Sequence, residues 1–242
     1  MNVLAVIPAR YASTRFPGKP LAQIHGKPMI QVVYERVAAC PSIDALCVAT
    51  DDERIIQAVQ SFGGQVLMTS DTHRSGTDRI AEAVQTLNGD FDLILNVQGD
   101  EPGIRSEDLE ALIGIFANEI VDIGTLVTPF TNMEDFQNPD RVKAVLSHSG
   151  QALYFTRAAA PFHRGEGDPL SQCYQHVGVY AYRADVLPDL GRLEPSPLEL
   201  KESLEQLRWL ENDYVIHARV IEKAPFGIDT PDDLEKFVSE VH

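Results

Sequence analysis

Val3-Leu4-Ala5-Val6-Ile7-Pro8-Ala9-Arg10-Tyr11-Ala12-Ser13-Thr14-Arg15-Phe16-Pro17-Gly18-Lys19-Pro20 decides how this chain is read. Its first five residues form a continuous apolar run, the pattern of a strand buried on both faces of a parallel sheet. The run breaks into a loop carrying Arg10, Arg15 and Lys19, and no acid precedes Glu35. The 242 residues together carry a formal net charge of -16, so the loop is a cationic island on an acidic protein. Arginine presents planar forks of N–H donors and lysine a mobile point charge, and both are drawn to phosphate oxygens. A polyphosphate ligand fits this pattern. The other reading is a solvated loop whose cations pair with acids elsewhere.

Composition bounds the class. With 44% hydrophobic and 23% charged residues the chain is ordinary for a globular protein. Its length allows one large domain, or a core with an added lobe. No apolar run reaches the about 18 residues of a membrane-spanning helix, so no membrane insertion is expected. A strand begins directly after Met1-Asn2, which reads against a cleaved leader. Cys40, Cys47 and Cys173 are odd in number and lack a C-x-x-C spacing, which suits free thiols in a reducing compartment. The acidity argues against a nucleic acid partner, whose phosphates need a broad basic face.

Outward from the first loop, strands and helices alternate. Pro28 to Val37 has apolar residues at helical spacing, Leu46 to Thr50 is a strand, and Asp51-Asp52-Glu53 supplies acids for a helix start. Ile55, Ile56, Val59 and Phe62 make that helix's apolar stripe, Gly63-Gly64 ends it, and Gln65 to Met68 is a third strand. This order predicts an α/β fold, a Rossmann-like, mostly parallel sheet with helices on both faces. Thr72 to Arg79 precedes the helix of Ile80, Ala83, Val84 and Leu87; Ser75 or Thr77 could cap it and Gly76 could admit a ligand, or the segment is an ordinary cap. The strand Phe91 to Val97 runs into Gln98-Gly99-Asp100-Glu101-Pro102. Ligands of open α/β sheets bind beyond the carboxyl ends of strands, which makes Asp100 a candidate Mg²⁺ ligand; the alternative is that it closes a turn ahead of Ser106.

After the helix Leu109 to Phe116 and the strand Ile123 to Val127, the rhythm changes. Residues 142–146 and 151–156 read as two extended segments around a Gly150 turn, Arg157 ends the second, 158–172 is loop, and Val177 to Tyr182 is another strand. The expectation is a single domain over 1–242 with a hairpin-rich lobe inserted at about 130–185. Leu198 to Trp209 reads as one helix, within which the consecutive Glu205 and Gln206 are either a sugar contact or a solvated face. Thr230-Pro231 with Asp233 reads as a capping box, and Asp229 lies just outside it.

Ile7-Pro8-Ala9-Arg10, Arg15-Phe16-Pro17-Gly18-Lys19-Pro20, Ala49-Thr50-Asp51-Asp52, Ser75-Gly76-Thr77-Asp78-Arg79, Asn96 to Pro102, His176 to Tyr180 and Gly227-Ile228-Asp229-Thr230-Pro231 occur in the order found in the 3-deoxy-manno-octulosonate cytidylyltransferases, which the chain resembles along essentially its whole length. The resemblance implies a cytoplasmic, homodimeric, Mg²⁺-dependent enzyme that transfers CMP from CTP to 3-deoxy-D-manno-octulosonate (Kdo) for lipopolysaccharide assembly. It assigns Arg10, Arg15 and Lys19 to the triphosphate, Arg74, Ser75 and Asp78 to the cytidine, and Asp100 and Asp229 to the metal. Lys19, Arg15 and Asp100 would carry the catalysis. Gln98, Arg157, His176, Glu205 and Gln206 fall where the sugar acid is held, although His176 alone reads as a satisfied strand histidine. An amino-substituted Kdo or a sialic acid is an alternative acceptor, and a catalytically silent nucleotide-binding regulator is the alternative of another class.

Overall fold

The structure, a computed structural model, describes residues 1–12, 16–73, 75–87 and 89–240. In chain order its strands are β1 (Val3–Ala9), β2 (Gln23–Ile24), β3 (Lys27–Pro28), β4 (Ala45–Thr50), β5 (Val66–Met68), β6 (Leu93–Asn96), β7 (Ile123–Pro129), β8 (Lys143–Leu146), β9 (Ala152–Thr156), β10 (Tyr174–Arg183) and β11 (Ile216–Val220). Its α-helices are α1 (Met29–Ala38), α2 (Glu53–Ser61), α3 (Gly76–Leu87), α4 (Ser106–Ile113), α5 (Met133–Gln137), α6 (Leu187–Leu190), α7 (Pro197–Glu202), α8 (Gln206–Glu211) and α9 (Pro231–Glu240). The chain divides into two compact units, one of residues 1–110, 183–191 and 225–242, the other of 111–182 and 192–224.

In the first unit β1 is the middle strand, and all seven of its residues are buried. It pairs in parallel with β4, from Leu4 opposite Ala45 to Ala9 opposite Thr50, and on its other side with β6, from Val3 opposite Leu93 to Val6 opposite Asn96. β5 extends the sheet beyond β4. The chain thus runs from β1 outward through β4 and β5, then crosses back to the opposite side of β1. That reversal puts a topological switch point beside the carboxyl end of β1, where an open α/β sheet leaves a crevice. Met29, Ile30, Val33 and Val37 form the buried face of α1, and Ile55 and Val59 that of α2. α2 starts as its sequence requires: the Asp52 carboxylate accepts the Arg54 N–H at 2.9 Å. α9 closes the unit, with Phe237 packed against Ile24, Met29 and Ile228.

In the second unit β7 lies between β11, which is parallel to it, and β10, which is antiparallel. β10 continues to β8, and β8 and β9 form an antiparallel hairpin. Ser147 N–H donates to the Gln151 carbonyl at 2.8 Å, and Gly150 takes φ 89°, so the turn needs its glycine.

One expectation is corrected. Leu198 to Trp209 is not a single helix, because α7 stops at Glu202, Ser203 turns left-handed (φ 53°, ψ 51°) and α8 starts at Gln206. Only the second half is core: Leu204, Leu207 and Trp209 are buried, whereas Leu200 on α7, which holds the same helical spacing in the sequence, is 69% exposed. Periodicity alone therefore hides it.

Candidate active site

Lys19 is the pivot of the first unit. Gly18 precedes it at φ 72°, its N–H donates to the Tyr11 carbonyl at 2.9 Å, and a β-carbon there would come within 3.1 Å of the Tyr11 ring. The ring is covered from outside by the Arg54 guanidinium, 3.2 Å from its centroid, and Arg54 is held by the Asp52 carboxylate at 2.5 and 2.8 Å. The base of the cationic loop is pinned in this way, and the short 3₁₀ turn Lys19–Leu21 points the lysine inward. Lys19 is only 9% exposed. Its ammonium donates to the Ile228 carbonyl at 2.9 Å and to Asp100 Oδ2, and lies 3.5 Å from Asp229 Oδ1.

The two aspartates reach one ammonium because their loops are fastened backbone to backbone. Ile228 N–H donates to the Asp100 carbonyl at 2.8 Å, and Gly103 N–H donates to that of Phe226 at 3.2 Å. The approach is so close that a β-carbon on Gly103 would fall 2.3 Å from the Phe226 nitrogen. Asp229 stands just outside the α9 capping box, as its spacing implies: Thr230 N–H donates to Asp233 Oδ2 at 2.9 Å and Asp233 N–H to the Thr230 hydroxyl at 3.2 Å.

Glu101 is the residue that the sequence reading passed over. Its carboxyl lies against Gly227, where a β-carbon would meet it at 3.0 to 3.2 Å, and its Oε2 is buried with no hydrogen-bond partner among the described residues. Burial, and then the charges of Asp100 and Asp229, push its pKa up to about 8. Glu101 is thus held neutral near pH 7, and the two aspartate carboxylates beside one ammonium make a field that favours an additional cation. The described residues offer no ready-made cluster of three or more His, Cys, Asp or Glu ligands. Mg²⁺, however, is typically held through one or two carboxylates, with water and substrate phosphates completing its shell. Asp100 and Asp229 fit that requirement.

Arg10 donates through Nη2 to the His73 carbonyl at 3.0 Å. His73 in turn contacts Glu82 of α3, whose Oε2 also accepts the Ser70 N–H at 2.9 Å. These bonds, the backbone one foremost, hold the Glu82 carboxyl below its usual range. Ser75 and Asp78 do form a cap: Ser75 N–H donates to Asp78 Oδ2 at 3.2 Å and Asp78 N–H to Ser75 Oγ at 3.1 Å. Gly76 faces the Gln98 side chain, and Gln98 Nε2 donates to Asn96 Oδ1 at 2.9 Å. Arg79, 1% exposed, reaches Asp51 Oδ2 at 2.5 Å and contacts Thr69 Oγ1, tying the start of α3 to the ends of β4 and β5. Arg15 and Arg74 lie outside the described residues.

The remaining candidates belong to the second unit. Arg157 follows β9 and directs Nε to the Glu202 carbonyl at 2.7 Å, Nη1 to that of Pro139 at 3.1 Å and Nη2 to that of Ser203 at 3.4 Å. Among the described residues three of its five donors make these bonds, and Nη1 also lies 3.9 Å from Asp140 Oδ1. His176 is wedged between Phe155 and Tyr180, with ring centroids 5.0 and 5.3 Å away, and its Nε2 is 3.1 Å from Thr125 Oγ1. The Thr125 hydroxyl reaches the Val179 carbonyl at 2.9 Å. Its single proton goes to that carbonyl, so the oxygen accepts from His176 Nε2–H. Burial holds the imidazole neutral, with a pKa down to about 3. Tyr180 and Tyr182 continue the aromatic wall to Trp209. Glu205 precedes α8, and its charge is one of those that raise the Tyr180 hydroxyl's pKa, after burial and Tyr182. Gln206 is the first residue of α8 and is buried. The satisfied-histidine reading and the ligand reading of His176 both fit this geometry.

Comparison with known proteins places these features in a family. A cytidylyltransferase family model matches residues 4–221. A 3-deoxy-manno-octulosonate cytidylyltransferase of Parabacteroides distasonis is 52% identical, over 98% of this chain and 96% of that protein. One of Geobacter metallireducens is 48% identical, over 100% and 98%. Among solved structures, a CMP:2-keto-3-deoxy-manno-octonic acid synthetase complexed with CTP superimposes with a TM-score of 0.93 at 41% identity, over 99% of this chain and 98% of that one.

Proposed function

The chain belongs to the cytidylyltransferase family, among the 3-deoxy-manno-octulosonate cytidylyltransferases, and on that premise we propose that it transfers CMP from CTP to Kdo, giving CMP-Kdo and pyrophosphate. The observation that carries the mechanism is the convergence of Asp100 and Asp229 on the Lys19 ammonium at the carboxyl ends of the strands. The anomeric hydroxyl oxygen of Kdo attacks the α-phosphorus of CTP. An O–P bond forms, the bond from the α-phosphorus to the bridging oxygen breaks, the hydroxyl proton leaves, and pyrophosphate departs with the electron pair. Almost all the protein's work is positioning and charge stabilisation.

Lys19, together with Arg10 and Arg15, stabilises the charge growing on pyrophosphate. Arg74, Ser75 and Asp78 hold the cytidine at the start of α3. Asp100 and Asp229 would hold Mg²⁺, which when bound polarises phosphate oxygens and neutralises their charge. Gln98, Arg157, His176, Glu205 and Gln206 hold the sugar acid, with the Arg157 guanidinium suited to its carboxylate and neutral His176 to a hydroxyl. Exposed apolar side chains in the second unit, Leu153 on β9 and Phe162 at 87% exposure, support a homodimer. The cytoplasm, which holds the CTP pool, is the proposed place of action.

Pyrophosphate release from CTP, measured with Kdo, an amino-substituted Kdo and a sialic acid in turn, tests the acceptor. Kdo is expected to turn over fastest; release with another acid and none with Kdo would move the assignment.

A further inference from the structure

Glu202 ends α7 and accepts three hydrogen bonds from the end of β9. Its Oε1 accepts the Thr156 hydroxyl at 2.8 Å, its Oε2 the Arg157 backbone N–H at 2.9 Å, and its carbonyl Arg157 Nε at 2.7 Å. Three bonds thus leave two consecutive residues of β9 and its exit for one residue of α7. The next residue, Ser203, takes the left-handed conformation that L-residues seldom adopt, and its carbonyl accepts from Arg157 Nη2. Leu204 N–H then donates to the Glu199 carbonyl at 3.3 Å, so the chain is tied on both sides of the reversal. Glu205 and Gln206 follow at once, at the start of α8. Below, Lys143 sits opposite Thr156 in the hairpin register and sends its buried ammonium to the Asn138 and Arg141 carbonyls at 2.8 and 2.7 Å, which steadies the loop that Arg157 also grips at Pro139.

We propose that Glu202 is a positioning residue of the acceptor site, one that touches no substrate and sets the Arg157 guanidinium and, through Ser203, the pair Glu205 and Gln206. The carboxylate accepts two of the three bonds and the backbone carbonyl the third, so anchoring the side chain also fixes the carbonyl that meets the guanidinium. The proposal rests on the reading above that Arg157, Glu205 and Gln206 hold the sugar acid. As a plain fastener, Glu202 would affect both substrates alike.

The test is steady-state kinetics on full-length E202A, E202Q and T156V, with CTP and Kdo varied separately, alongside amide hydrogen exchange of the segment 203–207. E202A is expected to raise KM for Kdo about tenfold or more, the range for a lost charge-assisted network, with KM for CTP within about twofold and faster exchange in 203–207. E202Q keeps one carbonyl acceptor and T156V removes a single bond, so both should give smaller shifts confined to Kdo, and they decide the matter if E202A fails to fold. Equal shifts in both KM values, or unchanged kinetics and exchange, overturn the proposal. Wild-type protein that does not turn over Kdo would overturn the acceptor assignment instead, while the exchange comparison would still decide whether Glu202 positions the segment.

Discussion

The ammonium of Lys19 and the carboxylate of Asp100 are in direct contact, although 81 residues separate them in the chain. The pairing joins the cationic loop after β1 to the acidic loop after β6, across the switch point where β1 and β6 run side by side. Each group alone would be poorly placed: a buried lysine needs a counter-charge, and a strand-end aspartate next to Glu101 and Asp229 needs a cation. The ammonium offsets only part of the aspartates' charge, which leaves the site favourable to a further cation.

Lys19→Ala should lower kcat by roughly a hundredfold or more, the effect of removing one preorganised charge stabiliser. Steady-state kinetics decide this. A loss confined to CTP affinity, with kcat unchanged, would show that Lys19 only binds nucleotide.

Gly103→Ala should be damaging out of proportion to one methyl group. The added carbon would lie 2.3 Å from the Phe226 nitrogen, so the loop bearing Asp229 must move away from the loop bearing Asp100. Turnover should fall at least tenfold, since misplacement by about 1 Å can cost a hundredfold. Kinetics equal to wild type would mean that the two aspartates need not be held together.

Arg79→Ala should destabilise the fold by about 3–5 kcal/mol, the range for breaking a buried ion pair from one side. Denaturant unfolding would measure it, and a change under about 1 kcal/mol would contradict the tie between α3, Asp51 and Thr69. Part of the string Ser75-Gly76-Thr77-Asp78-Arg79 is therefore explained by folding, not by ligand contact.

His176 gives a pH prediction. Its folded pKa of about 3 lies below the ordinary value near 6.5, so in the interval between them the unfolded chain binds the extra proton. Its contribution to stability is full above about pH 6.5 and is lost as pH falls toward 3. Unfolding free energies from pH 7 to pH 4 should fall less steeply in His176→Gln than in wild type. Parallel slopes would mean that the ring titrates normally in the folded protein.

The parallel sheet was legible because β1, β4 and β6 carry apolar runs too continuous for one-sided burial, and the α9 capping box because Thr230, Pro231 and Asp233 state it locally. Ser203 was not legible. In the sequence Leu200, Leu204 and Leu207 keep a helical spacing through the break, while the bonds that hold Glu202 at the end of α7 come from Thr156 and Arg157, which are remote in sequence. Glu101 was hidden for a related reason: its burial depends on Gly227, which only the fold brings beside it. Lys19, Asp100 and Asp229 could each be picked out from a strand end or a cap, yet their convergence is a property of the strand order.

The most direct test is pyrophosphate release from CTP and Kdo, followed together with CMP-Kdo by mass spectrometry, in wild type and Asp100→Ala across a Mg²⁺ titration that begins in chelator. The account predicts equimolar pyrophosphate and CMP-Kdo that require both Kdo and Mg²⁺, and loss of most turnover in a folded Asp100→Ala protein. Undiminished release in chelator, wild-type rates in Asp100→Ala, or pyrophosphate without CMP-Kdo would contradict it.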